Sequence, residues 1–179
     1  FGTVAFIVPL SLGAAPFVAR IIEGALKEVD EGLIEVKSVS REPGIRSKVA
    51  VYSKNENIDP VGSCIGPKGL RIESIKKELR GEKIDVVEWS EDPAKLIQAL
   101  LPAEIMAIDI NEETRFAQVI VADDQLTLAI GKKGQNVRLA VELTHWAIDI
   151  KGITEFKEML EKGEKDTSID MEKIEEEQE

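Results

Sequence analysis

Two glycine-containing segments carry residue types that can hold phosphate groups. The first reads Ile-Gly-Pro-Lys-Gly-Leu-Arg-Ile at 65–72, and the second reads Ile-Gly-Lys-Lys-Gly-Gln-Asn-Val at 130–137. A Gly-x-x-Gly loop between two helices can bring backbone N–H groups against a phosphate, because no Cβ stands in the way. Lys68 in the first copy, and Lys132 with Lys133 in the second, add positive charge to the same loops. The predicted chemistry is binding of a phosphate backbone.

The repetition of this pattern makes it informative. A single Gly-x-x-Gly is also found in ordinary helix–turn–helix joints, but here Gly66 and Gly131 begin two copies that lie 65 residues apart in the same local context. Internal repeats of this kind indicate repeated structural units. In both copies a short apolar helix is predicted before the loop and a longer helix after it. This is the arrangement of a KH domain, whose loop clamps the backbone of single-stranded RNA.

The candidate RNA-binding residues are those of the two loops and the helix starts that follow. They are Gly66, Pro67, Lys68, Gly69, Leu70 and Arg71 in the first copy, and Gly131, Lys132, Lys133, Gly134, Gln135, Asn136 and Arg138 in the second. The glycines are assigned to close backbone approach and the lysines to phosphate charge, with a plain turn and solvated lysines as the alternatives. The arginines could contact phosphate, stack on a base or form surface salt bridges. Gln135 and Asn136 have amide groups suited to base edges or sugar hydroxyls.

Neighbouring residues complete the predicted groove. Pro67 has no N–H, so the first loop is expected to depend more on Lys68, Gly69 and Leu70. One branched apolar residue follows each loop, and both are predicted to form the floor under the bases; they are Ile72 and Val137. Two arginines flank a strand turn, where a structural role is favoured over an extension of the RNA path; they are Arg41 and Arg46.

The net charge of −11 is unfavourable for an RNA-binding protein, but it is unevenly distributed. Residues 153–179 contain eleven acidic residues and four lysines, whereas residues 64–80 contain five basic and two acidic residues. Residues 128–138 contain three basic residues and no acidic one. Charges beyond a Debye length of about 8 Å are largely screened, so the charge near the phosphates matters most. The balance argues against indiscriminate polyanion binding and is compatible with a local RNA site.

Other function classes find little support in the residues. Cys64 and His145 are the only cysteine and histidine, so neither an internal disulfide nor a zinc site is predicted. No phosphate-loop motif of nucleotide hydrolases and no activated Ser, Cys or His group is present, so no catalytic residue, metal or cofactor is expected. The longest apolar stretch, near Val4 to Leu10, is too short to span a bilayer. The lone thiol suits a reducing cytoplasm.

The elements predicted around the loops recur in the same order. In the first half they are a helix from Pro16 to about Glu28, strands at 33–39 and 46–52 joined by a turn at 41–44, a helix at 60–65, a helix from the loop to Gly81 and a strand at 83–89. In the second half they are a helix from Asp92-Pro93 to Leu101, strands at 105–110 and 115–121, helices at 123–130 and 135–143, and a strand at 146–151. Both halves therefore read helix, strand, strand, helix, loop, helix, strand. This is the prokaryotic (type II) KH order, an α+β fold.

The predicted domain organisation follows from these elements. Residues 1–13 are a residual strand or linker, 14–90 the first KH domain and 91–152 the second. Residues 153–179 are an acidic, largely disordered tail, of which the apolar start could dock as a short helix. Because Ser90 to Asp92 is the only linker, the two domains are expected to pack together and present one continuous RNA platform.

Four longer segments resemble the tandem KH region of the NusA family of bacterial transcription factors. They are Ser-Val-Ser-Arg-Glu-Pro-Gly-Ile-Arg-Ser-Lys-Val-Ala-Val at 38–51, Asp-Pro-Val-Gly-Ser-Cys-Ile-Gly at 59–66, Gly-Glu-Lys-Ile-Asp-Val-Val-Glu-Trp-Ser-Glu-Asp-Pro at 81–93, and Leu-Ala-Ile-Gly-Lys-Lys-Gly-Gln-Asn-Val-Arg-Leu-Ala at 128–140. The resemblance covers roughly residues 14–151. In this family an S1 domain precedes the KH pair, so residues 1–13 are expected to contain no more than the end of an S1 domain.

The resemblance implies a function that composition and spacing do not show. It implies a non-enzymatic, cytoplasmic, monomeric factor that binds single-stranded nascent RNA and acts in pausing, termination and antitermination. It also implies contact with the RNA polymerase elongation complex in the full-length protein. The alternative left open is a protein-interaction module whose KH folds bind RNA weakly or not at all.

Overall fold

In the computed structural model, the described residues are 15–26 and 33–163, and the chain divides into two compact units between Trp89 and Ser90. The predictions made for residues 1–14, for the end of the first helix at 27–28 and for residues 164–179 lie outside the described residues. Each unit has a three-stranded sheet and helices packed on it, so the predicted α+β class is confirmed.

The first unit contains the predicted elements in the predicted order. They are α1 (Ala15–Leu26), β1 (Ile34–Glu42), β2 (Arg46–Ser53), α2 (Pro60–Ile65), α3 (Leu70–Glu78) and β3 (Lys83–Glu88). The central strand β2 pairs antiparallel with β1 and parallel with β3. Helix α1 repeats apolar residues every four positions, and this face is buried at Val18, Ile22 and Leu26. It packs in one core with Val49 and Ile75.

The second unit repeats this architecture. Its elements are α4 (Pro93–Leu100), β4 (Ile105–Asn111), β5 (Phe116–Val121), α5 (Leu126–Ile130), α6 (Gln135–Thr144), β6 (Ala147–Gly152) and α7 (Ile153–Glu161). A single 3-10 turn, Asp123–Gln125, precedes α5. The central strand β5 again pairs antiparallel with one neighbour and parallel with the other. The predicted docking helix after residue 152 is α7, whose Phe156 is 1% exposed.

Aspartate caps and prolines begin the helices as predicted. The Asp59 carboxylate accepts a hydrogen bond of 2.9 Å from the Gly62 N–H at the start of α2, and Pro60 occupies the first helical position. Asp92 accepts in the same way from the Ala94 N–H at the start of α4, at 2.9 Å. Such side-chain acceptors satisfy N–H groups that have no partner within the helix. Both helix starts are therefore encoded locally.

Two local predictions are corrected by the structure. Strand β1 continues to Glu42, so Arg41 lies on the strand and not in the turn. Its guanidinium pairs with the buried Glu82 carboxylate, with 2.9 Å between Nη2 and Oε2. On α3, the i,i+4 spacing of Glu73 and Lys77 predicts an ion pair between them, but Glu73 pairs instead with Lys76, at 2.7 Å, because residues three and four apart share a helix face.

The Arg41–Glu82 ion pair connects strand β1 to the residue immediately before strand β3. The Glu82 carboxylate also accepts hydrogen bonds from the Gly44 N–H at 2.9 Å and from the Ser47 hydroxyl. Burial raises the pKa of Glu82, but the hydrogen bonds from Arg41, Ser47 and Gly44 outweigh it and hold the pKa below its ordinary value. Arg41 thus has a structural role, but on strand β1 and not in the turn that the sequence favoured. Arg46 likewise forms an ion pair with Asp85 on the neighbouring strand β3, with 3.7 Å between Nη1 and Oδ2.

Candidate nucleic-acid interface

The two Gly-x-x-Gly loops have nearly the same backbone conformation. Gly66 and Gly131 have φ of 74° and 77°, with ψ of 172° and 169°. Lys68 and Lys133, which follow two residues later, both lie in the left-handed region, at φ of 53° and 56°. A non-glycine residue in this region costs about 1–2 kcal/mol, so the surrounding structure must hold the loop in place. The repeat seen in the sequence is therefore a repeat in geometry.

The glycine N–H groups are used inside the loops. Gly66 donates to the Gly62 carbonyl at 2.8 Å, and Gly69 donates to the Gly66 carbonyl at 3.0 Å. The second loop repeats both bonds, and the N–H groups of Leu70 and Gln135 also donate to carbonyls of their own loops. These N–H groups therefore have partners within the protein, and contact of Gly69, Leu70 and the other loop residues with a phosphate stays a prediction. The glycines contribute their positive φ and the absence of a Cβ.

The exposed charge of the loops agrees with the prediction. Lys68, Lys132 and Lys133 are exposed, and within the described residues none of them forms an ion pair. Arg138 is also exposed, and its Nη1 donates to the Lys133 carbonyl at 3.3 Å, which places its guanidinium beside the second loop. Gln135 is half-buried at the start of α6. The exposure of the three lysines is compatible with phosphate binding, which stays a prediction.

Two of the predicted contacts are turned toward the protein. Asn136 is 4% exposed, and its Nδ2 donates to the Leu128 carbonyl at 3.0 Å, so its amide is not presented to a base or sugar. Arg71 is half-buried, and its Nη1 donates to the Ser63 carbonyl. Sequence reasoning had only solvent-facing or ligand-facing roles for these side chains, because hydrogen bonds back to the preceding helix depend on the folded loop.

Two exposed apolar side chains beside the loops, Ile65 and Leu128, were missed by the sequence reasoning, whereas Leu70 was among the predicted residues. Leu70 is 67% exposed, Ile65 is 41% exposed, and Leu128 is 51% exposed. The signal was present in the short helices, since α2 and α5 bury only one face, which carries Cys64 and Ala129. The other apolar residues of these helices must then face solvent or a ligand. Ile72 and Val137, the predicted floor, are half-buried.

Other chemistry finds no support in the described part of the chain. Residues 15–26 and 33–163 contain no group of three or more His, Cys, Asp or Glu side chains that could hold a metal ion. None of the helices in these ranges is long and apolar enough to cross a membrane. Burial raises the pKa of the Cys64 thiol to about 11, so this thiol is protonated at neutral pH and is a poor nucleophile.

Comparison with known proteins gives consistent matches across both units. The family model of the NusA-like first KH domain matches residues 14–89, and that of the NusA-like second KH domain matches residues 93–158. The chain is 52% identical over 141 residues to the transcription termination/antitermination protein NusA of Halalkalibacterium halodurans, which covers 78% of this chain and 37% of the relative. It is 49% identical over 134 residues to the protein of that name from Thermus thermophilus, covering 72% of this chain and 35% of the relative.

The chain thus spans little more than a third of the length of these relatives. Among solved structures, the crystal structure of APE1850 superposes with a TM-score of 0.56 at 24% identity. The match covers 76% of this chain and 97% of that one. At this identity the likeness shows the fold alone.

Proposed function

The chain belongs to the NusA family of transcription termination/antitermination proteins, and on that premise we propose that its two KH units bind single-stranded nascent RNA. The loops at 66–69 and 131–134 hold the phosphate backbone, and the apolar residues beside them contact the bases. This binding serves pausing, termination and antitermination.

One observation carries this proposal. Two loops of nearly equal conformation each present exposed lysines without ion pairs in the described residues, and each lies beside an exposed apolar side chain. Positive charge near a phosphate backbone supplies affinity, and apolar side chains supply contacts for unstacked bases. A loop that served only as a turn would need neither an exposed lysine nor an exposed apolar side chain beside it, yet both are found at both loops.

The wider role belongs to the full-length protein. We assign contact with the RNA polymerase elongation complex to that protein, and we assign a monomeric, cytoplasmic and non-enzymatic character to this chain. The relatives are named for transcription termination and antitermination, which takes place in the bacterial cytoplasm. A protein-interaction module with inactive KH loops is the competing function. The lysines of both loops argue against a protein-interaction module, because such a module would function equally well with acidic or neutral residues there.

The direct test is RNA binding by charge-reversal variants of each loop. One variant combines Pro67→Asp with Lys68→Asp, and the other combines Lys132→Asp with Lys133→Asp. Aspartate tolerates the left-handed conformation of Lys68 and Lys133, so stability should change by only about 0.5 kcal/mol. Each variant should weaken binding to an unstructured RNA by about tenfold or more, equivalent to about 1.4 kcal/mol.

A control changes the net charge by −4 elsewhere, which equals the change in the second loop variant and exceeds the change of −3 in the first, because Pro67 is neutral. Lys83→Asp combined with Lys95→Asp reverses two exposed lysines, at the start of β3 and in the first turn of α4. This control should bind RNA within about twofold of the parent, because neither residue lies on a loop or on a helix that flanks one. If both loop variants fold and bind RNA as tightly as the control, the loops are not the RNA site.

A further inference from the structure

The side chain five residues after the first glycine holds each loop to the helix before it. In the first unit Arg71 donates through Nη1 to the Ser63 carbonyl in α2. In the second unit Asn136 donates through Nδ2 to the Leu128 carbonyl in α5, at 3.0 Å. These two donors and two acceptors occupy corresponding positions of the repeat, although the donors differ in size and charge.

The same side chains also restrict the glycine that begins each loop. A Cβ built on Gly66 would lie 2.7 Å from the Arg71 Cβ, and one built on Gly131 would lie 2.7 Å from the Asn136 Nδ2. A contact below 3.0 Å requires something to shift. The donor side chain therefore packs directly against the loop backbone and does not merely pass near it.

The helices before the loops need such support. Helix α2 has six residues and α5 has five, which is too short for either to be stable by itself. The last carbonyls of a helix have no partner within it, so a side chain that donates to one of them stabilises the helix end. Here the donor comes from the first turn of the following helix, so its hydrogen bond connects the two helices across the Gly-x-x-Gly loop.

The two copies differ in where the second positive charge lies. The first loop has one lysine, Lys68, next to Pro67, and its donor at the fifth position is the cation Arg71. The second loop has Lys132 and Lys133, and its donor at the fifth position is the neutral, buried Asn136. The first site thus contains two cations and the second contains three, because Arg138 also lies beside the second loop. In the first site, one of them is fixed against the protein by a hydrogen bond.

We propose that Arg71 and Asn136 are positioning residues that hold the two loops in their RNA-binding shape, and that Arg71 also supplies one phosphate contact. This inference rests on the proposed RNA-binding function. Arg71 can serve both purposes because the guanidinium has several N–H groups, of which Nη1 reaches Ser63. Asn136 serves only the first purpose, since its amide is buried and donates to Leu128.

The first test uses Arg71→Ala and Arg71→Asn in a protein whose second loop is disabled by Lys132→Asp and Lys133→Asp. Binding of a short unstructured RNA is measured across a range of salt concentrations. Asparagine can replace the positioning hydrogen bond, as the second unit shows, but it cannot contact phosphate as a cation. Both variants should lower the slope of log K against log salt by about 0.7, the value for one phosphate on a single strand.

The two variants should then separate at high salt, where the charge contribution is small. There Arg71→Asn should bind within about twofold of its parent, while Arg71→Ala should remain about tenfold weaker, as expected for loss of one hydrogen bond to a charged donor. The control is Arg80→Asn, which makes the same substitution at an exposed residue beyond the other end of α3 and has a backbone conformation that asparagine tolerates. It should match the parent in both affinity and slope.

The second test is Asn136→Leu in a protein with the first loop disabled, because leucine has a similar volume but no donor. It should weaken binding by a similar factor at every salt concentration and leave the slope unchanged. A dispersed amide NMR spectrum checks that the second unit is folded; if it is not, the Arg71 series alone decides.

Three results would overturn the inference while leaving RNA binding intact. Equal affinity of Arg71→Ala and Arg71→Asn at high salt would remove the positioning role, and an unchanged slope in both would remove the phosphate contact. A reduced slope in folded Asn136→Leu would contradict the neutral role of Asn136. Failure of the parent protein to bind any RNA would instead contradict the proposed function.

Discussion

At the scale of single residues, the N–H groups of the loop glycines have partners within the protein that the sequence did not predict, whereas the loop lysines are exposed as predicted. The motif was found from its glycines, and the reason given was that their N–H groups would face a phosphate. The structure shows those groups donating to Gly62 and to Gly66 within the protein. The motif is predictable from sequence because positive φ favours glycine, whereas the destination of each N–H depends on the folded loop.

The two glycines of the first loop should therefore respond differently to alanine. Both have φ of 74°, but ψ is 172° at Gly66, a conformation almost restricted to glycine, and 10° at Gly69, in the ordinary left-handed region. A Cβ on Gly66 would also meet Arg71 at 2.7 Å, while one on Gly69 finds its nearest atom, on Ile72, at 4.0 Å. We expect Gly69→Ala to cost about 1–2 kcal/mol from φ alone, and Gly66→Ala to cost at least about 1 kcal/mol more. Urea unfolding of both variants provides the measurement. Equal costs would contradict this expectation and would mean that neither the backbone conformation of Gly66 nor its contact with Arg71 restricts a side chain there.

At the scale of elements, caps and periodicity were sufficient to predict the order of helices and strands. Asp59-Pro60 and Asp92-Pro93 start helices through local hydrogen bonds, and the apolar spacing of α1 marks its buried face. Features that depend on distant partners were not predictable in the same way. Strand β1 extends to Glu42, with Arg41 paired to Glu82, a residue 41 positions away in the sequence.

The exposure of the apolar residues beside the loops could be predicted from the sequence only in part. A six-residue helix buries one face, so an apolar residue on the other face is predictable in principle as exposed. The particular residues, Ile65 and Leu128, follow only when Cys64 and Ala129 are known to be the buried ones. The burial of Asn136 was the hardest of these features to predict from the sequence, because a polar side chain after a loop is ordinarily solvated.

Helix α7 shows that the second unit extends beyond its last strand. It begins immediately after β6, and its Phe156 is 1% exposed, whereas Lys157 and Glu158 beside it are exposed. We expect Phe156→Ala to destabilise the second unit by about 3–5 kcal/mol through loss of buried area and formation of a cavity. Lys157→Ala is the matched control and should change stability by about 0.5 kcal/mol or less. Similar unfolding curves for the two variants would show that α7 is not part of the folded unit.

At the scale of the whole molecule, a short connection joins two binding units of the same kind. Only Ser90 to Asp92 lie between β3 with its following Trp89 and the start of α4. Linking two sites converts the second binding event into an intramolecular one, which can raise affinity by about 10²–10⁴ without a new contact. That the two units pack into one continuous platform stays a prediction. Simultaneous engagement of one RNA is the consequence that can be measured.

The central claim is that both loops bind one RNA, and its most direct test is a salt titration with two RNA lengths. Each KH loop clamps about four nucleotides, so an unstructured RNA of about ten should engage both loops and one of about five should engage one. The slope of log K against log salt, about 0.7 per phosphate, should then be roughly twice as steep for the longer RNA. Disabling either loop with its aspartate pair should reduce the longer RNA to the affinity and slope of the shorter one. Equal slopes for the two lengths on the unaltered protein would contradict the claim that both loops bind one RNA.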